Sequence, residues 1–279
     1  MAQGRPAAGI SLSNLKALAH SLLACNMGPA LAMTPRWHIG AKELRGAVSA
    51  YAKRFDLLEV RIALGETRER TEPSLATLRR WRKAVPPHFD FAVVAGTHLS
   101  SAKASDLAKL ELDAARAAID ALQARCFVLR TPPEVTPTAL WRGRIAKIVE
   151  SVPHDVTHFV WEPSGVWELE DAAAQARAYD AVLAVDPAQE AVPRGPIAYL
   201  RLRALGATRS FGSAALERIV QAVGARRDVF TIIETDGALQ EGKRLRAIAR
   251  ESGASSSGPG GLHRVRPRSD IVVRDDEQE

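Results

Sequence analysis

The chain holds only two cysteines in 279 residues. Cys25 and Cys126 lie far apart with no CxxC spacing, which excludes a cysteine zinc cluster and a disulfide framework. Cys126 opens an apolar run and reads as a small core residue. Such cysteine usage fits a reducing, cytoplasmic compartment. Long hydrophobic runs are also lacking. Ala17–Met33 is apolar, but His20, Asn26, Gly28 and Pro29 interrupt it, leaving it too short and too broken to span a bilayer. As an export signal it has only Arg5 and Lys16 for a basic region and no clear small-residue cleavage site. No membrane partner is therefore expected. The chain has no Walker loop, no Rossmann glycine fingerprint, no GxSxG elbow and no HExxH pair. Aromatic residues make up 5% of the chain, and Trp161 and Trp167 are the exceptions where a sugar platform would be wanted. That scarcity weighs against paired-carboxylate glycosidase chemistry.

What the chain does have is a rhythm. Eight short apolar runs recur: Trp37–Gly40, Leu57–Leu64, Phe89–Ala95, Cys126–Arg130, Thr157–Trp161, Ala181–Val185, Ile197–Arg203 and Val229–Thr235. Between them the sequence turns helical, at Lys42–Arg54, Ser74–Ala84, Ser105–Arg125, Thr138–Ser151, Glu168–Tyr179, Ser213–Val223 and Leu239–Glu251. The interval after the sixth run holds Pro187, Pro193 and Pro196 and has no room for a full helix, so a loop is expected there. Strands alternating with helices predict a parallel sheet with crossover helices. Eight units in about 200 residues predict a closed (β/α)8 TIM barrel, an α/β fold, over about residues 34–251.

On either side of the barrel the composition changes. Leu12, Leu15, Leu18, Leu22 and Leu23 have helical spacing, and Ser11–Leu23 is expected to form an accessory helix within an amino-terminal extension, residues 1–33. From Ser252 to Glu279 a Ser/Gly stretch leads into His263, Arg264, Arg266 and Arg268 and then into acidic Asp275–Glu279. This reads as a disordered tail, able to meet nucleic acid or an acidic partner through its arginines or to do nothing beyond solvation. The net charge is +6, which favours acidic or phosphate-bearing partners.

In a TIM barrel the site sits where the strands end. Polar groups at those ends are His38 and Lys42, Glu59 and Arg61 with Glu66 beyond, His98, Arg130, Glu162, Asp186, Arg201 and Arg203, and Glu234 and Asp236. Residues two apart on a strand share a face, so Glu59 sits with Arg61 and Arg201 with Arg203. Buried charges must be paired, and Glu59, Arg61, Arg201 and Glu234 could simply neutralise one another. Alternatively Arg61, Arg130, Arg201 and Arg203 clamp a phosphate or carboxylate. A third possibility is a metal-activated water held by Glu162, Asp186, Glu234 and Asp236 with His98 or His38, although no HxE or HxxxH spacing supports it. Gly206 and Gly212 flank Thr208, Arg209 and Ser210, a loop whose amides could hold an anion. Trp81 and Trp141 fall on expected helices and read as packing residues.

Several segments, taken in order, resemble the YecE-like family, the domain of unknown function 72. The family's opening Ile-Gly strand is similar to Ile39-Gly40, and its Tyr, Phe and Val-Glu-Ile-Asn element to Tyr51, Phe55 and Leu58-Glu59-Val60-Arg61. Its Pro and Phe-Xaa-Phe-Ala-Val element resembles Pro87 and Phe89–Val93, and its strand-ending Pro-Pro resembles Pro132-Pro133. Glu-Phe-Arg-His-Pro-Ser-Trp is similar to Val160–Ser164 with Trp167, Tyr-Val-Arg-Leu-His to Tyr199–Arg203, and Tyr-Phe-Asn-Asn-Asp to Ile233–Asp236. The resemblance covers about residues 37–250 and implies a TIM barrel without an assigned reaction or cofactor. Glu59, Arg201 and Asp236 persist, whereas Ala41, Lys42, Arg61, Val94, Arg130, Trp161, Glu162, Arg203, Glu234 and Thr235 replace family polar positions. The expectation is a divergent member. Its strand ends, lined by Glu59, Arg61, Arg130, Glu162, Arg201, Arg203, Glu234 and Asp236, take a small anionic ligand. The alternatives are metal-assisted hydrolysis of phosphoesters or nucleic acid, and a degenerate, non-catalytic interaction module.

Overall fold

The computed structural model describes residues 34–62, 73–204 and 210–256. The expected helix at Ser11–Leu23, Cys25, Glu66, Gly206, Thr208, Arg209 and nearly all of the tail lie outside those residues. Eight strands alternate with helices: β1 (Arg36–Ala41), α1 (Val48–Tyr51), β2 (Leu57–Arg61), α2 (Leu75–Ala84), β3 (Asp90–Val94), α3 (Thr97–Ser100), α4 (Asp106–Leu122) and β4 (Cys126–Arg130). They continue as α5 (Ala139–Glu150), β5 (His158–Glu162), α6 (Leu169–Ala178), β6 (Val182–Val185), β7 (Ile197–Leu202), α7 (Ser213–Val223), β8 (Asp228–Ile233) and α8 (Ala238–Ser256). All paired strands are parallel, in the order β1-β8-β7-β6-β5-β4-β3-β2, and the ends of that series face each other. The fold is a TIM barrel, with no helix between β6 and β7, as the prolines there require.

Local chemistry sets the element ends. Ser74 and Ser105 cap α2 and α4 by accepting from the amides of Thr77 and Ala108, at 3.3 and 3.1 Å. The helix expected over Lys42–Arg54 shrinks to one turn, because Gly46 takes a φ of +82° and breaks the run. The single turn of α3, before α4, is too short to leave a periodic signal in the sequence.

The barrel closes at the β1–β2 seam without a regular ladder. The Asp56 amide donates to the Ile39 carbonyl at 2.8 Å, and above it the Tyr51 hydroxyl fills the gap. That hydroxyl accepts from the Ala41 amide at 2.7 Å and donates to the Leu57 carbonyl at 3.0 Å. Gly40 is needed at this point, since any β-carbon there would collide with the Leu57 carbonyl. Burial pushes the Tyr51 phenol well above its usual range, so it stays a neutral donor.

Two apolar layers result. One lies between sheet and helices; the other fills the barrel with Leu57, Ala92, Val94, Cys126, Val128, Val160, Ala184, Tyr199, Phe230 and Ile232. Cys126 is packed as a core residue, and burial pushes its thiol up. Along the barrel axis His38 stacks on Phe230 with centroids 4.6 Å apart, and Phe230 faces Tyr199 at 6.3 Å. Polar clusters lie beyond both ends of this aromatic column.

Candidate functional site at the strand carboxyl ends

Tyr199, Arg201 and Arg203 alternate along β7 and its exit, so all three point inward. Arg201 sits at the centre with only 2% of its side chain exposed. Its Nη2 donates to Glu59 Oε1 at 2.7 Å, its Nη1 to Glu59 Oε2 at 3.2 Å and to Glu234 Oε1 at 2.8 Å, and its Nε to Glu162 Oε2 at 2.8 Å. The Tyr199 hydroxyl donates to Glu59 Oε1 at 2.5 Å from below. Burial alone would push the Arg201 guanidinium down, yet Glu59 and Glu162 hold it well above its ordinary value. Glu234 shows the converse: burial works against its charge, but Arg201 and then Arg203 keep it below the usual carboxylate range.

Above this hub lies a second set of cations. Arg203 donates through Nη2 to Glu162 Oε1 and through Nε to Glu234 Oε2 at 3.3 Å, and Arg130 Nε pairs with Glu162 Oε2 at 3.1 Å. The Arg130 and Arg203 side chains are 36% and 38% exposed. Glu162 therefore braces two guanidinium groups at the barrel mouth while its other contacts anchor it to Arg201. Arg61, at the end of β2, is exposed and shares the inward phase of Glu59.

Six of the eight candidate residues thus converge: Glu59, Arg130, Glu162, Arg201, Arg203 and Glu234. Asp236 stands apart, exposed past β8, where it lines a cavity of about 320 Å³ with Lys42, Arg45, Arg54 and Glu234. Asp186 is buried and accepts from the Ala188 amide and Gln189 Nε2, which fixes the turn after β6. Trp161 is fully buried on the outer face of β5, against Trp167 and Tyr179, and serves as no sugar platform. Trp81 and Trp141 pack against the outer core, as expected of helix residues.

His38 corrects the expectation most clearly. It belongs to the amino-terminal half of the barrel, with Nδ1 2.5 Å from Asp90 Oδ2 and Nε2 3.1 Å from Asp228 Oδ1. Asp228 also accepts from Arg36 Nε at 2.8 Å and Arg227 Nε at 3.0 Å. Burial would raise the Asp228 carboxyl, but the hydrogen bonds from His38, Arg36 and Arg227 bring it down to about 2. Among the described residues no group of three His, Cys, Asp or Glu side chains is placed to hold a metal ion. The three carboxylates that do converge each face a guanidinium nitrogen instead.

Tyr199 and the Asp90–His38–Asp228 cluster were missed as polar partners. The available signals were the two-residue phase linking Tyr199 to Arg201, and aspartates opening strands β3 and β8 in the inward phase.

Eight parallel strands with charged residues gathered at their carboxyl ends define a TIM-barrel protein of the kind that carries its sites at that face. The family model described as protein of unknown function DUF72 matches residues 37–261, and the chain belongs to that family. A DUF72 family protein from Enterococcus faecalis superposes with a TM-score of 0.60 at 13% identity, covering 77% of this chain and 96% of that one. Another from Thermotoga maritima gives 0.56 at 14% identity, covering 78% and 99%. A xylose isomerase domain protein from Planctomyces limnophilus gives 0.53 at 13% identity, covering 80% and 100%, which speaks for the shared barrel alone. The curated proteins contain no match. Among the described residues no helix is long and apolar enough to cross a membrane.

Proposed function

We propose that the mouth of the barrel binds a small anionic ligand bearing a phosphate or carboxylate group, held by Arg130 and Arg203 with Arg61 on the same rim. The observation that carries this reading is the placement of Glu162. One carboxylate fixes two guanidinium groups at Nε or one Nη, and leaves both side chains more than a third exposed. A rigid arginine pair opening to solvent matches the planar oxygens of a phosphate or carboxylate. Arg201 has a different role in this reading. Each of its three nitrogens already donates to a protein carboxylate and its side chain is 2% exposed, so in this reading it holds the platform and does not touch the ligand. With its carboxylates occupied by arginines, the centre suits binding better than activation of a water.

A thermal-shift titration of the full chain with inorganic pyrophosphate, a sugar phosphate and a tricarboxylate tests the reading. A probe at 100 times its Kd adds about 2.7 kcal/mol. A saturable rise in Tm with at least one probe, absent in Arg130→Gln/Arg203→Gln, is the expected result. No rise with any of them, or a rise that survives the double substitution, would overturn it.

A further inference from the structure

Away from the mouth, neighbouring helices of the outer ring pack unevenly. Helix α4 packs closely on α2, and α7 on α8, whereas the backbones of α4 and α5 approach each other at few points. Between them lies a groove of about 530 Å³, lined mainly by apolar surface. Its floor is built from small or aliphatic side chains, Ala102, Ala108 and Leu112 on one wall and Ala139 and Ile148 on the other. Leu140, on the α5 wall, is 59% exposed. Lys103 and Lys109 stand on the α4 side, Arg144 and Lys147 on the α5 side.

The residue that points to an occupant is Gly143. It lies in the interior of α5, where glycine is the poorest ordinary helix former. Gly143 is exposed in this groove, and a β-carbon there would meet nothing within 4 Å. Packing within the chain therefore does not require the glycine. What it provides is a notch in the helix surface that would let another backbone approach closely.

We propose that the α4–α5 groove receives an amphipathic helix of a partner protein, with one apolar stripe and acidic residues along its flanks. The open groove supplies two helix surfaces, into which a third helix seats its i, i+3, i+4 and i+7 side chains. The basic residues on both walls select acidic flanks and reject basic ones. An acyl chain fits the shape less well, because the groove is open along its length and would leave one side of the chain in water.

The test is fluorescence anisotropy of a labelled synthetic helix of about 18 residues, with leucines at the stripe positions and glutamates beside them. A second peptide carries lysines in place of the glutamates. The full chain is expected to bind the acidic peptide saturably and the basic one about tenfold more weakly or worse. Gly143→Trp, which fills the notch at a position free of internal contacts, should weaken the acidic peptide by about tenfold or more while leaving the circular dichroism unchanged. Lys103→Glu/Lys147→Glu should reverse the preference between the peptides. Equal affinity for both peptides, or binding untouched by Gly143→Trp, overturns the proposal. So does a wild-type dimer in sedimentation velocity that Gly143→Trp converts to monomer, which would give the groove to a second copy of the chain.

Discussion

The two ends of the barrel bury hubs of opposite sign. At the amino-terminal end the hub is an anion, Asp228, whose side chain is 0% exposed and which collects His38, Arg36 and Arg227. At the carboxyl-terminal end it is a cation, Arg201, which collects Glu59, Glu162 and Glu234. Both satisfy the rule that a charge removed from water must be paired and hydrogen-bonded. The clusters differ in depth. Around Asp228 the outermost partners are arginines, well exposed and bonded directly to the hub. Around Arg201 the partners are themselves buried carboxylates, and Arg130 and Arg203 form a further layer outside them. That extra layer is what separates a candidate site from a cluster that only closes the end of a barrel.

The largest effect should come from the cationic hub. Arg201→Ala removes the buried guanidinium that three carboxylates share, and urea melts should show a loss of about 3–5 kcal/mol. The anionic hub should cost less. The Asp228 carboxyl titrates near 2 in the fold, against an ordinary value of 3.8. Its folded value is lowered, so its stabilisation is complete above the ordinary value and is lost as pH falls through 3.8 towards 2. The shift corresponds to about 2 kcal/mol. Asp228→Asn should remove about that much at pH 7 and flatten stability between pH 4 and about 2 in acid melts.

A smaller loss is expected where the aromatic column meets the upper hub. Tyr199→Phe deletes the hydrogen bond to Glu59 but leaves Arg201 holding that carboxylate. Thermal melts should show about 1.5 kcal/mol lost, as for a single buried hydrogen bond to a charged group. The outer layer should matter least for folding. Arg203→Ala or Arg130→Ala removes an arginine that is more than a third exposed, and solvent screening limits the loss to about 1 kcal/mol each. A cost for Arg203→Ala as large as that for Arg201→Ala would erase the distinction between the layers.

Much of the barrel could be read from the chain, because buried parallel strands leave dense apolar runs and proline forbids a helix between β6 and β7. Where the reading slipped, the deciding contact lay elsewhere in the fold. The first helix was drawn too long because the left-handed φ of Gly46 leaves only a weak trace in sequence. The Tyr51 hydroxyl at the seam could not be foreseen, since it bridges backbone atoms of two strands that do not pair. At the mouth, the two-residue period placed Glu59 and Arg201 correctly on inward faces. The expected neutral network of Glu59, Arg61, Arg201 and Glu234 was too small. Glu162 joins Arg201 directly across the barrel, and Arg130 and Arg203 through Glu162, contacts set by strand register. His38 was assigned to the wrong end because an apolar run does not say where its strand begins. Pairing of Arg36 with Asp228 places His38 level with Phe230, below the mouth.

The most direct test of the layered site is a pair of urea denaturation curves at pH 7, one for Arg201→Ala and one for Arg130→Ala/Arg203→Ala. The account predicts a loss of about 3 kcal/mol or more for the single substitution and less than about 2 kcal/mol for the double. A double substitution as costly as Arg201→Ala would contradict it, because the outer arginines would then be structural members of the core cluster and not free to serve a ligand.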